Sequence, residues 1–184
     1  MNITVRREPT PLVGKEQRIG AEAPAVRVVD TNGQEIIVGM IADKPQIFIV
    51  VPSLKTEVCS MGAKRFNELL AEYKDKAIAY IVSTDDIEVT SSFESANCIT
   101  NAKLITDKKL EFGAKYGVQI GEGILKDKLA RAIFVVDKEG IIKYIEIVGE
   151  IVDESNYERA MEALAIVCKP PKKGAHHHEN WMKV

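Results

Sequence analysis

The sequence predicts an α/β fold in which helices flank a mixed central sheet. Two apolar runs of strand length, 46–51 and 77–84, flank a stretch whose apolar residues recur with helical spacing. This strand–helix–strand order is typical of parallel strands, whereas two later apolar runs joined by the turn KEG at 138–140 predict an antiparallel hairpin. With 184 residues, 46% of them apolar, the chain is long enough to form one domain with a sizeable core.

The elements of the first half each have their own signal. Residues 20–38 place Asn32 and Gly33 between two β-branched runs, which predicts a β-hairpin near the N-terminus. The two continuous apolar runs predict strands that are buried on both faces. Between them, residues 60–75 predict an amphipathic helix. The apolar positions of that helix are Met61, Phe66, Leu69, Leu70 and Tyr73.

The second half continues with a helix, a strand, a short helix ending at glycine, a hairpin and a last helix. These elements are predicted over 85–97, 101–107, 108–117, 131–148 and 154–167. The inner face of the last helix is predicted to contain Tyr157, Met161, Leu164 and Ala165. The whole order is that of a thioredoxin-like fold over residues 1–167. Residues 168–184 have paired prolines and no periodicity, so they are predicted to form a C-terminal extension.

Charge and hydropathy exclude several classes of partner. The net charge is −2, and acids and bases are interspersed, so no basic block favours nucleic acid or an anionic membrane. No apolar run approaches the length of a membrane span or of a signal peptide. We therefore expect a cytoplasmic protein with a small molecule or another protein as its partner.

The three cysteines are far apart and form no CxxC pair, so neither a zinc site nor a permanent disulfide framework is expected. The adjacent histidines 176–178 cannot all face one ion in a regular element, so no metal site is expected there either. Cys59 differs from the other two cysteines because it follows a buried strand and begins a helix. The free amide groups and the dipole of a helix N-terminus favour an anion, and the thiolate is the nucleophilic form of cysteine.

Two neighbours of Cys59 favour a reactive thiol over the default interpretation, in which a lone cysteine only fills space. Thr56 can present a hydroxyl group to the oxygen that the sulfur attacks. Pro52 removes a backbone N–H group and stiffens the start of the loop, which could shield the pocket from bulk water.

Five segments in register resemble the peroxiredoxins, and among these the thiol peroxidases. The segment PSLKTEVC matches the PxxxTxxC pattern of that family. The five segments are PLVGKE (11–16), VPSLKTEVC (51–59), KRFNELL (64–70), FGAKYGV (112–118) and LARAIFVVDKEG (129–140). The resemblance spans roughly residues 8–165.

The resemblance implies a thiol-dependent peroxidase that uses no cofactor. Cys59 matches the peroxidatic cysteine, which attacks a hydroperoxide and becomes a sulfenic acid. Thr56 matches the residue that hydrogen-bonds the thiolate and the peroxide, and Pro52 matches the residue that covers the site. Arg131 matches the arginine that stabilises the thiolate and polarises the peroxide. The family also implies a homodimer, packed near the active-site end, and recycling by thioredoxin or a similar dithiol.

The chain departs from the family at the second, resolving cysteine. Counting from Phe93 and Asn101 puts the family's cysteine at position 94, which is Glu94 here. Cys98 lies one helical turn later, on a similar face if the helix extends that far, and is our first candidate for the resolving role. Cys168, expected just past the last helix, is the second candidate, and a one-cysteine mechanism is the third. The missing cysteine also leaves a non-catalytic redox sensor or binding module as an alternative function.

Overall fold

The computed structural model describes residues 1–170, which contain ten strands and four α-helices. The strands are Asn2–Val5 (β1), Glu8–Val13 (β2), Val26–Asp30 (β3), Glu35–Val38 (β4), Gln46–Val50 (β5), Ile78–Ser83 (β6), Lys103–Thr106 (β7), Gln119–Ile120 (β8), Ala132–Val136 (β9) and Ile142–Ile147 (β10). The helices are Glu57–Leu69 (α1), Ile87–Ala96 (α2), Glu111–Tyr116 (α3) and Tyr157–Cys168 (α4). A 3-10 turn, Leu70–Tyr73, continues α1.

Seven strands form the central sheet in the order β10-β9-β5-β6-β7-β3-β4. Strands β5, β6 and β7 are parallel, whereas β9 and β10 on one side and β3 and β4 on the other are antiparallel. The predicted mixed sheet is confirmed, as are the hairpin at β3–β4 and the hairpin at β9–β10. The strand β5, which leads to Cys59, lies in the middle of this sheet with all five residues buried.

The side chains of β5 alternate between two cores, one on each face of the sheet. Phe48 and Val50 enter a core rich in aromatic residues. Ile47 and Ile49 enter a second core, in which Phe66 of α1 packs. A strand buried on both faces has a fixed register, because a slip by one residue would exchange the two sets of side chains. The end of β5, and with it the start of α1, is therefore held in one position.

A second, three-stranded sheet of order β1-β2-β8 contains an N-terminal hairpin that the sequence analysis did not predict. The turn of this hairpin is Arg6 and Arg7, which both have positive φ (53° and 67°) without being Gly or Asn. Its second strand contains Pro9 and Pro11, which pair with Thr4 and Asn2. Prolines argue against a strand, and this turn lacks the usual residues, so no local signal marked the hairpin.

Helix boundaries differ from the predictions in ways that affect the cysteines. Helix α1 begins two residues before Cys59, at Glu57, and Met61 is 54% exposed, not on the inner face. Helix α4 ends at Cys168, so that cysteine is the last residue of the helix and does not lie past its end. The fully buried residues of α4 are Ala160 and Leu164.

None of the helices within residues 1–170 is both long enough and apolar enough to cross a bilayer. Across the same residues, no group of three or more His, Cys, Asp or Glu side chains could hold a metal ion. The histidines at 176–178, for which no metal site was expected, lie outside the described residues.

Candidate active site

Cys59 lies in the first turn of α1, as predicted. The chain leaves β5 at Val50 and reaches the helix through a short loop that ends at Thr56. Thr56 has extended backbone angles (φ −86°, ψ 147°), and its hydroxyl oxygen accepts from the Cys59 backbone N–H at 3.4 Å. Thr56 is therefore the N-cap of α1, a preferred position for threonine, because the hydroxyl satisfies an N–H group that has no partner within the helix.

Arg131 brings a cation to the sulfur from the segment just before β9. Its Nη2 atom donates to the Cys59 Sγ atom at 3.3 Å and to the Ile151 carbonyl oxygen at 3.0 Å. Both side chains are buried, with Cys59 1% and Arg131 4% exposed. A guanidinium group stays charged when buried, so Arg131 places a fixed positive charge beside the sulfur. Within the described residues, Nε of Arg131 is also buried and has no hydrogen-bond partner.

One cavity of about 260 Å³ is lined by all four residues that the sequence predicted for this end of the sheet. They are Pro52, Thr56, Cys59 and Arg131. Most of the remaining wall is apolar and is formed by Val5, Val58, Ile124, Leu125, Ile151 and Val152. A larger groove of about 870 Å³, between the β9–β10 turn and α4, contains no cysteine. The smaller cavity is therefore the candidate site, because it places a nucleophile beside a cation.

The loop between β5 and α1 is held by Asp85, which sequence reasoning missed as a site residue. One carboxylate oxygen accepts from the Ser53 hydroxyl at 2.7 Å, and the other accepts from the Leu54 N–H at 2.7 Å. The sequence predicted a helix that begins at residue 85, whereas α2 begins at Ile87. Asp86 occupies the N-cap position, without a side-chain bond, and Asp85 is 4% exposed.

The N-terminal hairpin is attached to Glu150 and to Ile151, the residue whose carbonyl oxygen accepts from Arg131. The Glu150 carboxylate accepts from the Thr4 hydroxyl at 2.7 Å, and Ile151 N donates to the Thr4 carbonyl oxygen at 3.0 Å. The hydrogen bond from Thr4 holds the pKa of the Glu150 carboxyl below its ordinary value. The hairpin also contributes Val5 and Arg6 to the cavity wall.

Cys98 lies outside the cavity, just after α2, and is exposed. It has a left-handed backbone (φ 51°), and Ile99 N donates to the Glu94 carbonyl oxygen at 3.1 Å. These are features of a Schellman helix end, where glycine is the usual residue. The expectation that Cys98 shares a helical face with position 94 is not met, because the helix ends at Ala96.

Asn67 of α1 holds the turn that contains Cys98. Its Nδ2 atom donates to the Cys98 carbonyl oxygen at 3.4 Å, and its Oδ1 atom accepts from Thr100 N and Asn101 N at 3.1 and 2.9 Å. Asn67 lies roughly two helical turns, or about 12 Å, further along α1 than Cys59. Since a disulfide needs Cα atoms within about 7 Å, the Cys98 turn has to move before the two sulfurs can bond.

Cys168 lies at the opposite end of α1 from Cys59. Its thiol donates to the Lys76 carbonyl oxygen at 3.7 Å, and Lys76 follows the 3-10 turn that ends α1. The length of α1 and this turn separates the two cysteines by roughly 20 Å. Burial raises the pKa of the Cys168 thiol.

The chain is similar to known proteins in both sequence and fold. A family model described as Redoxin matches residues 18–161. The chain is 40% identical over 159 residues to a thiol peroxidase of Aquifex aeolicus, covering 86% of this chain and 94% of the relative. It is 36% identical over 162 residues to a thiol peroxidase of Listeria innocua, covering 88% of this chain and 96% of the relative.

A solved structure, that of a peroxiredoxin-like protein from Aquifex aeolicus, superposes with a TM-score of 0.85 at 38% identity, covering 90% of this chain and 96% of that one. The predicted thioredoxin-like fold and the predicted family are both confirmed by these matches. The chain belongs to the Redoxin family and, within it, to the peroxiredoxins of the thiol peroxidase branch.

Proposed function

We propose that this thiol-dependent peroxidase reduces hydrogen peroxide and organic hydroperoxides with Cys59 as its peroxidatic residue. The observation that supports this most is the 3.3 Å contact between Arg131 Nη2 and Cys59 Sγ at the wall of a largely apolar cavity. Charge-assisted donors in a site shielded from water stabilise an anion more strongly than water does. A scaffold protein without chemistry would have no use for a buried cation beside a buried thiol.

In the proposed reaction the Cys59 thiolate attacks the terminal oxygen of the hydroperoxide. An S–O bond forms as the O–O bond breaks, the sulfur is oxidised to a sulfenic acid, and the departing oxygen takes a proton and leaves as water or an alcohol. Arg131 donates to the sulfur and to the oxygen on which charge develops. Thr56 orients the peroxide with its hydroxyl group, and Pro52 covers the cavity.

We propose Cys98 as the resolving residue, from a position displaced relative to the family. Its thiolate attacks the Cys59 sulfur, an S–S bond forms, and the sulfenic oxygen leaves as water. Two features support this choice: Cys98 is exposed, and it occupies a backbone conformation that costs about 1 kcal/mol for a residue other than glycine. Cys168, roughly 20 Å away in the same chain, remains the second candidate only through another subunit.

We also propose a reductant and a second subunit as partners of this protein. The disulfide would be reduced by thioredoxin or a similar dithiol, and three free cysteines suit a reducing cytoplasm. A homodimer packed at the active-site end is supported by apolar exposure there: Ile124 is 71%, Val152 59% and Met61 54% exposed. Sedimentation velocity over a range of concentrations should give the mass of a dimer, and a monomer throughout would exclude it.

The test of the function is peroxide consumption by the wild-type protein and by three single variants, with a dithiol reductant present. Cys59→Ser should abolish consumption, Cys98→Ser should remove most of the turnover, and Cys168→Ser should leave it unchanged. Undiminished consumption by the Cys59→Ser protein would refute the proposal.

Peptide mapping after one equivalent of hydrogen peroxide identifies the resolving residue. A Cys59–Cys98 disulfide within one chain is the expected product. A link to Cys168, or Cys59 left as a sulfenic or sulfinic acid, would refute resolution by Cys98 while leaving the peroxidatic role of Cys59 intact.

A further inference from the structure

Asp85 is a buried carboxylate that takes no part in the proposed chemistry. It lies between the end of β6 and the start of α2, is 4% exposed, and forms no salt bridge within residues 1–170. Both of its carboxylate oxygens accept hydrogen bonds from the loop that precedes α1, one from Ser53 and one from Leu54. Two 2.7 Å bonds from one buried carboxylate to adjacent loop residues are strong, because the acceptor is charged.

A series of hydrogen bonds connects Ser53 to Cys59 through Thr56. The carbonyl oxygen of Ser53 accepts from the Thr56 hydroxyl at 3.1 Å and from the Thr56 N–H at 3.3 Å. The Thr56 hydroxyl oxygen in turn accepts from the Cys59 N–H at 3.4 Å. The position of the Thr56 hydroxyl relative to the sulfur therefore depends on where Asp85 holds Ser53.

Asp85 is itself fixed by the sheet. Its backbone N–H donates to the Ser83 hydroxyl at 3.2 Å, and its carbonyl oxygen accepts from the Thr106 hydroxyl of β7 at 2.8 Å. The carboxylate is thus a rigid connection between the parallel strands and the loop, in addition to the bond from Val51 N–H to the Val82 carbonyl oxygen at 2.9 Å where the loop begins. Rigid support of this kind matters because a misplacement of about 1 Å in a reacting group can lower a rate about 100-fold.

We propose that Asp85 is a positioning residue for peroxide reduction, which sets the geometry of Thr56 and the first turn of α1 without touching the substrate. The inference rests on the proposed role of Cys59. It adds that the Asp85 bonds serve the reaction with peroxide specifically, and not only the stability of the fold.

The test compares two reactions of Cys59 in the full-length reduced protein. Reaction with hydrogen peroxide needs the Thr56 hydroxyl and the closed cavity, whereas alkylation by iodoacetamide needs only an accessible thiolate. Asp85→Ala should lower the second-order rate constant with peroxide 10- to 100-fold, while the rate of alkylation stays the same or rises because the loop opens. Rapid quenching and mass spectrometry of the Cys59 peptide measure both rates.

Two control variants make the comparison sharp. In Asp85→Asn the amide oxygen can accept from the Leu54 N–H while the amide nitrogen donates to the Ser53 oxygen, so its peroxide rate should stay within about threefold of wild type. Asp86→Ala changes the neighbouring exposed acid, which makes no side-chain capping bond, and should leave both rates unchanged. If Asp85→Ala does not fold, Ser53→Ala removes one of the two bonds and should lower the peroxide rate about 3- to 10-fold.

The inference is overturned if Asp85→Ala, or Ser53→Ala in its place, keeps its peroxide rate within twofold of wild type. It is also overturned if the peroxide and alkylation rates fall in parallel, because that would show a general loss of structure. Failure of the proposed function is a different result, since peroxide consumption by Cys59→Ser is measured with Asp85 intact.

Discussion

At the scale of single residues, the contact between Arg131 and Cys59 is the feature on which the proposed chemistry depends. The guanidinium group is buried, and one of its nitrogens serves both the sulfur and the Ile151 carbonyl oxygen. Neither the sulfur nor this carbonyl oxygen has another side-chain hydrogen-bond donor among the described residues. Removing the arginine would leave a buried thiol without its side-chain hydrogen-bond donor.

We predict that Arg131→Met lowers the second-order rate constant of Cys59 with hydrogen peroxide at least 100-fold, because a donor to the developing charge is lost. Arg131→Lys, which keeps the charge but loses the planar fork, should have an intermediate rate. Single-turnover kinetics with mass detection of the sulfenic acid provide the measurement. A rate for Arg131→Met within threefold of wild type would contradict the assigned role.

Residue types and their sequence context predicted much of this site, but not all of it. Pro52, Thr56, Cys59 and Arg131 could be named because a motif fixes their order along the chain. Asp85 could not, because two adjacent acids look alike in sequence and only the sheet decides which of them turns inward. The cap at Thr56 was also missed, since its hydroxyl was assigned only to the thiolate and the substrate.

At the scale of elements, the helix ends at Cys59 and Cys98 are held by different kinds of hydrogen bond. The first turn of α1 is capped by a 3.4 Å bond to Thr56, and the end of α2 is held from outside by Asn67. Helix α2 contains the weak helix formers Thr90, Ser91 and Ser92, and its N-cap makes no side-chain bond. The proposed disulfide therefore requires these ends to unwind, and Cys98 itself adds backbone strain where unwinding would start.

We predict that Cys98→Gly raises the free energy of unfolding by about 0.5–1 kcal/mol, because glycine adopts the left-handed conformation without a steric penalty. Cys98→Ser keeps the Cβ atom and the strain, so its stability should match wild type. Urea denaturation of the reduced proteins, monitored by circular dichroism, measures the difference. Equal stability of the two variants would show that the backbone at this helix end is not strained.

Elements with regular periodicity were predicted closely, and those defined only by tertiary contacts were not. The buried strands β5 and β6 and the hairpin β9–β10 follow from continuous apolar runs and a glycine turn. The hairpin β1–β2 depends on docking against Glu150, some 146 residues away from Thr4, which no local pattern reports. The same holds for the two-residue strand β8, which pairs with β2.

At the scale of the whole molecule, the cavity is assembled from four distant parts of the chain: the first hairpin, the loop before α1, the segment before β9, and the segment after β10. Its apolar wall is drawn from all four of these parts, and Arg131 comes from the third. The attachment of the first hairpin at Glu150 is thus part of the site's construction, although no atom of Glu150 lines the cavity.

We predict that Glu150→Ala lowers the peroxide rate about 3- to 10-fold, because the hairpin and the Ile151 carbonyl group lose a shared anchor. Glu139→Ala, at the exposed turn between β9 and β10, is the matched control and should have the wild-type rate.

The pKa of Glu150 is lowered in the folded protein, so the attachment is present above the ordinary carboxyl pKa and is lost only as the pH falls through the lowered value. Hydrogen exchange of residues 2–13 should therefore stay slow at pH 5, and rapid exchange there would contradict the attachment.

The position of Arg131 between the sulfur and the Ile151 carbonyl group has a consequence for synthesis of the chain. A ribosome adds Cys59 long before it adds Arg131, and the carbonyl group that orients the arginine comes later still. Throughout that interval the nascent chain carries an ordinary cysteine, with no cation to stabilise its thiolate. In the proposed mechanism, the arrangement that makes Cys59 reactive towards peroxide is therefore complete only after Ile151 has been added to the chain.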